Sequence, residues 1–169
     1  MLWIIYEKIK KERVLDMNDY EINVQTLAII PLKEGKSRVI EENNSYIVNK
    51  TPMKIIDNSC KFFGSSYEGR FSGTKTLTGI THKSPIIIEE SRKMIFFPTK
   101  SPRLDSCIWI SFNNILNYEQ KENNSIIKFC CGKVLELDIS YNIIDNQILR
   151  ATRLESVLNK RMNELVKSI

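Results

Sequence analysis

The residues with the most chemical reach lie between Lys61 and Arg103. Ser65, Ser66 and Thr74 offer hydroxyl groups, and Gly64, Gly69 and Gly73 fall among them. Glycine lets a backbone N–H approach a bulky anion closely, and hydroxyls and amides are ordinary donors to phosphate oxygens. Arg70 stands in the middle of this run with Phe71 beside it. A guanidinium suits a narrow A·T-rich minor groove, where negative potential concentrates and no guanine amino group blocks entry. Lys61, Lys75, Lys83, Lys100 and Arg103 carry charges suited to the phosphates of double-stranded DNA, although an ordinary solvated surface accounts equally well for some of them. Phe71 has two readings, a wedge at a base step or an anchor that holds its segment to the core, and the second is weightier. Phe62, Phe63 and Tyr67 read as core rather than as stacking platforms.

Bond-making chemistry fits these residues poorly. Gly64-Ser-Ser-Tyr-Glu-Gly69 has the glycine spacing of a phosphate loop, but Arg70-Phe71 stands where Lys and Ser or Thr would be needed. His82, the single histidine, could act as general base for Ser65 or Ser66, yet no third group is placed to orient it. A small hydrolase built on Ser66 and His82 is the weakest of three readings. Cys60, Cys107, Cys130 and Cys131 form no Cys-x-x-Cys pair, and structural zinc needs paired ligands at short spacing. No catalytic residue, metal or cofactor is expected.

Charge points the same way as the hydroxyls. The 169 residues carry a net +5, and from Lys50 to Arg103 ten basic side chains face four acidic ones. The whole positive excess therefore sits in the middle third, the electrostatic footprint of a polyanion binder. The apolar stretch Leu2-Trp-Ile-Ile-Tyr6 is too short for an export signal, and its basic residues follow it rather than precede it. It reads as a short surface helix, or as residues upstream of a natural start at Met17. No run approaches the ~20 apolar residues that cross a bilayer, so no membrane partner is expected. The thiols are expected to be reduced in a cytoplasmic protein.

The elements that must position these residues can be read from pattern. Residues 20–32 form an aliphatic, β-branched run that ends near Pro31, a strand. Residues 38–42 and 46–48 flank a turn at Asn43-Asn44, a hairpin. Thr51-Pro52 is a helix start, with Met53, Ile56, Cys60 and Phe63 on one face and Gly64 as the stop. Residues 65–79 show no clear period and should be a structured loop. Residues 80–89 and 93–99 read as a strand pair, and 107–118, 126–130 and 134–137 continue the sheet. From Ser140 the period becomes helical, through Ile144, Ile148, Ala151, Leu154, Leu158, Met162, Leu165 and Ile169. That stripe packs on the sheet or forms a dimer seam. The fold class is α+β: an antiparallel sheet, a short helix before the central basic loop, and a C-terminal helix packed on the sheet.

The run Asp57-Asn-Ser-Cys-Lys-Phe-Phe-Gly-Ser-Ser-Tyr-Glu-Gly-Arg70, with Gly73-Thr74 and Thr81-His-Lys-Ser-Pro-Ile-Ile86, resembles the signature of the ComK family of competence transcription factors. The resemblance extends from about Tyr20 through Phe96-Phe-Pro-Thr99, Cys107-Ile-Trp-Ile-Ser111 and Gly132-Lys-Val-Leu-Glu-Leu137 to Asn146-Gln147. It implies one domain over residues 17–169, with residues 1–16 as an extension outside the match. It further implies a nucleoid-associated activator of genes for DNA uptake and recombination. Such proteins bind paired A-run/T-run boxes mainly through the minor groove, as homodimers or higher homo-oligomers, with RNA polymerase a possible further partner. Family members controlled by a MecA-type adaptor carry a C-terminal Phe-Met-Leu-Tyr-Pro-like motif. The sequence here ends at Lys167-Ser-Ile169 without it, which puts that partner in doubt. The alternative to DNA binding is a non-catalytic protein-interaction module whose basic segment meets an acidic partner.

Overall fold

The computed structural model describes residues 14–167. The surface helix expected near the N-terminus lies outside the described residues. In chain order the elements are β1 (Val14–Met17), β2 (Thr26–Pro31), β3 (Ser37–Glu41), β4 (Ser45–Val48), α1 (Pro52–Phe62) and α2 (Tyr67–Thr78). They continue with β5 (Ile86–Glu89), β6 (Met94–Pro98), β7 (Trp109–Ser111), β8 (Ile115–Lys121), β9 (Asn124–Phe129), β10 (Val134–Leu137) and α3 (Tyr141–Lys167). Among the described residues seven strands make one sheet in the order β1-β4-β3-β2-β7-β6-β5, and β10-β9-β8 make a second. Every pairing is antiparallel except that of β1 with β4. The α+β arrangement with a C-terminal helix is as expected.

The large sheet is covered on both faces. Ile29, Val39, Ile86, Ile88, Phe96 and Trp109 meet Ile55, Ile56 and Cys60 of α1 on one side. Alternate residues Ala28, Ile30, Ile40, Ile87, Ile95 and Phe97 meet the small sheet and Ile144, Ala151 and Leu154 of α3 on the other. Side chains alternate between faces along a strand. A sheet buried on both faces therefore reads as unbroken apolar runs, as in β2 and β6, where every residue is buried.

Three expectations need correction. The expected single sheet is two, because Asn113 and Asn114 break the run over 107–118. Asn113 Oδ1 accepts from the Ile95 amide at 2.9 Å, and Asn114 Nδ2 donates to the carbonyls of Val24 (3.1 Å) and Thr26 (3.2 Å). These side chains satisfy the end of the large sheet and send β8 into the second.

The structured loop expected over 65–79 is mostly helix α2. Ser66 caps it by accepting from the Gly69 amide at 3.1 Å, and Gly79 closes it with φ +75°. Gly73, in the helix interior, costs ~1 kcal/mol relative to Ala, and Gly69 stands in its first turn, so packing must hold this helix. Its inward side is Tyr67, Arg70, Phe71, Thr74, Leu77 and Thr78, all buried or half-buried.

The apolar stripe of α3, finally, packs only along part of its length. Ile144, Ala151 and Leu154 are buried, whereas Met162 and Leu165 are 63% and 65% exposed.

Candidate functional site

One rim of the large sheet collects the β2–β3 turn, the N-terminus of α1, the turn at Thr81–Lys83 and the long β6–β7 loop. Local sequence fixes each part. Thr51 Oγ1 accepts from the Lys54 amide at 3.3 Å, and Pro52 occupies the first helical position of α1. The positive end of its dipole thus faces the rim. Lys83 sits in the left-handed region at φ +48°. A lysine stays there only when its surroundings enforce it. The enforcing group is Gln147 of α3, whose Nε2 donates to the Lys83 carbonyl at 2.9 Å and to the Pro98 carbonyl at 2.5 Å. Arg150 Nη1 adds a 2.6 Å bond to the His82 carbonyl.

Two adjoining clefts open on this rim. One, of about 510 Å³, is bounded by Lys33, Lys36, Thr51, Leu104 and Trp109. The other, of about 470 Å³, is bounded by Tyr67, Glu68, Phe71, His82 and Lys83. Met53, Pro102 and Arg103 form the wall common to both. The cations outnumber the carboxylates, but Glu34, Asp105 and Glu68 are present as well. The rim thus carries a small excess of positive charge, with grooves on either side of one exposed guanidinium.

The nine residues singled out from sequence divide into three groups. Lys83 and Arg103 line the clefts, and Lys100 lies exposed on the loop that carries Arg103, its Nζ 3.4 Å from Ser106 Oγ. Lys61 and Lys75 are exposed on α1 and α2 and line neither cleft, and Lys61 is paired with Asp57 Oδ2 at 2.6 Å. Ser65, Ser66, Arg70 and Thr74 serve the fold. Ser66 is the cap of α2, and half-buried Ser65 Oγ lies 3.5 Å from the Ser66 carbonyl.

Arg70 and Thr74 depart furthest from the expected groove contacts. The Arg70 side chain is only 15% exposed; Nη1 meets Glu90 Oε1 at 2.6 Å, Nη2 meets the Ile88 carbonyl at 3.5 Å, and Nε is buried without a partner. Thr74 Oγ1 donates to the Pro85 carbonyl at 3.0 Å. Both turn inward because the helix, absent from the sequence reading, puts them on its packed side, where they fasten α2 to β5. Phe71 is half-buried, stacked on Tyr67 of the same helix at 6.1 Å, and borders the second cleft.

Sequence reasoning missed Asp57, Gln147 and the cations Lys33 and Lys36. Asp57 Oδ1 accepts from the Tyr67 amide at 3.1 Å and so joins α1 to the start of α2. The Lys61 ammonium, aided by that amide, holds its carboxyl below the usual value. Placement of Asp57 and Gln147 within the quoted signature was the available signal.

The Ser66 oxygen that the hydrolase reading would use accepts from the Gly69 amide as a helix cap. Among the described residues no group of three His, Cys, Asp or Glu side chains could hold a metal. No described helix is long and apolar enough to cross a membrane. Burial pushes the Cys60 and Cys107 thiols up to about 11.

Comparison with known proteins agrees with the signature. A family model described as ComK protein matches residues 17–163. The chain is 38% identical over 154 residues to the Competence transcription factor of Bacillus subtilis (strain 168), an alignment covering 89% of this chain and 80% of that protein. No solved structure is significantly similar.

Proposed function

This chain belongs to the ComK family, and from that premise we propose that it is a DNA-binding transcriptional activator of competence genes. It recognises paired A·T-rich boxes mainly through the minor groove. The observation that carries this reading is the position of Arg103, exposed on the wall between two clefts with Lys33, Lys36 and Lys83 around them. Arg103 replaces Arg70 as the groove-reading residue, while Lys83 and Lys100 meet backbone phosphates. Specificity comes from groove width and deformability, and affinity largely from counterion release, with log K falling about 0.9 per neutralised phosphate against log salt.

The active form is a homodimer or higher homo-oligomer, located with the nucleoid, and RNA polymerase is its downstream partner. The exposed end of α3, at Met162 and Val166, supports self-association. The test is fluorescence anisotropy of a duplex with paired A-run/T-run boxes beside a G·C-substituted duplex at the same salt. Markedly tighter binding to the first is expected, and equal weak binding overturns the reading. That result would favour a protein-interaction module, for which Leu104, 53% exposed at the cleft edge, is the supporting observation.

A further inference from the structure

The four thiols fall into two classes by position. Cys60 and Cys107 are buried in the core, while Cys130 and Cys131 are adjacent in sequence and both exposed. The exposed pair occupies the loop of the β9–β10 hairpin. The Gly132 amide donates to the Phe129 carbonyl at 2.9 Å, the Phe129 amide to the Lys133 carbonyl at 2.9 Å, and Gly132 takes φ +91°. This is a three-residue hairpin loop, a tight turn followed by a left-handed glycine. Cys130 and Cys131 are therefore its two central turn residues.

The loop is held in place as well as exposed. The Cys130 amide donates to the Asn114 carbonyl at 2.9 Å. Asn114 is itself tied to Val24, Thr26 and Ser111 through its side-chain amide. On the other side Lys133 Nζ donates to the Glu41 carbonyl at 2.6 Å. Neither thiol contributes to the packed core, and an exposed free thiol is a reactive liability that surfaces ordinarily avoid. Two of them stand on adjacent residues of one anchored turn, so that two soft donors are carried by a single short loop.

We propose that Cys130 and Cys131 are a dithiol site for a thiophilic trivalent metalloid, of the class R–As(OH)₂. Both thiols add to one arsenic: two As–S bonds form, two As–O bonds break, and each thiol proton leaves with a hydroxide as water, with no change of oxidation state. The second As–S bond is intramolecular, and chelation of this kind raises affinity by about 10²–10⁴ over a single attachment. The site is distinct from the DNA-binding reading and independent of it.

The probe is phenylarsine oxide, added to the full chain in the presence of excess monothiol, which is removed by desalting before the free protein thiols are counted by a chromogenic disulfide under native conditions. One equivalent per chain should protect two thiols. In Cys130→Ser and in Cys131→Ser the apparent affinity should fall by about 10²–10⁴-fold. Both positions are exposed, and far-UV circular dichroism and the urea midpoint report whether either variant folds. Capture that survives both substitutions, a stoichiometry of one arsenic per two chains, or no capture by the native chain overturns the proposal.

Discussion

Gln147 Nε2 donates to the carbonyl of Lys83 at 2.9 Å, so a residue of the C-terminal helix sets the conformation of a cation on the opposite element of the cleft. The same nitrogen holds Pro98, where β6 ends and the Arg103 loop begins. Two loops that carry candidate DNA-binding cations are thereby fixed to each other through one amide that is 2% exposed.

Replacing Gln147 by Leu leaves both carbonyls without this donor. The cost should be about 1–3 kcal/mol, the penalty of a buried unsatisfied polar group, read as a lower urea midpoint. Duplex affinity should fall further than in a variant of equal stability whose substitution lies in the core, because the loops lose their mutual placement.

Arg103→Ala should relax the preference for A·T boxes over G·C-substituted duplex. Lys75→Ala is the comparison: if Lys75 neutralises a phosphate, its removal should weaken all duplexes about equally and reduce the salt slope by about 1. Anisotropy titrations of both duplexes at several salt concentrations measure the two effects. An unchanged sequence preference in the Arg103 variant would remove it from the groove.

Arg70→Ala should act on stability before it acts on sequence preference. It removes the tie from α2 to Glu90 and the Ile88 carbonyl and opens packing under a half-buried helix. Glu90→Gln should be milder, at most about 1 kcal/mol, since the carboxylate is 68% exposed and such pairs are screened. Urea unfolding of the two variants and the double variant separates the ion pair from the packing.

Alkaline pH should loosen the core. The Cys60 and Cys107 thiols ionise near 9 when solvated but only at about 11 when buried. Folding therefore holds their protons, and the stability tied to them is complete below pH ~9 and lost as pH rises toward ~11. The urea midpoint should fall over that window, and the fall should be smaller in Cys60→Ala.

Met162→Glu should reduce self-association without lowering monomer stability, because Met162 is 63% exposed and little core packing depends on it. Sedimentation across a concentration series, with and without duplex, checks this. An unchanged oligomer would place the subunit interface elsewhere.

The parts of the fold that were legible in sequence are those where one signal dominates. Thr51-Pro52 announces α1, and the Asn43-Asn44 pair marks the hairpin turn. Ile144, Ala151 and Leu154 show a helical period because all three are apolar and buried. Helix α2 was hidden for the opposite reason. Its inward side repeats at three and four residues, but Arg70, Thr74 and Thr78 supply half of it, and Gly69 and Gly73 argue for a loop. The expected DNA-binding residues suffered accordingly: a loop would have left Arg70 free, whereas a helix turns it inward. The two clefts were not legible at all, since they join the β2–β3 turn, α1 and the β6–β7 loop, segments far apart in the chain.

Strand β1 carries a consequence of a different kind. Its four residues are all exposed, it pairs with β4 in parallel from Val14↔Ser45 to Met17↔Val48, and the family match begins only at residue 17. Backbone pairing is its main hold, yet it covers the open amides and carbonyls of Ser45-Tyr-Ile-Val48. A bare apolar sheet edge recruits other chains into disordered aggregates, and nature blunts such edges with short, charged strands. β1, four residues long, covers that edge by its shortness and its pairing more than by charge, since beside Asp16 its Val14, Leu15 and Met17 are themselves exposed. Shortening the chain to begin at Met17 would strip it away, and the loss would be felt first in shelf life rather than in DNA recognition.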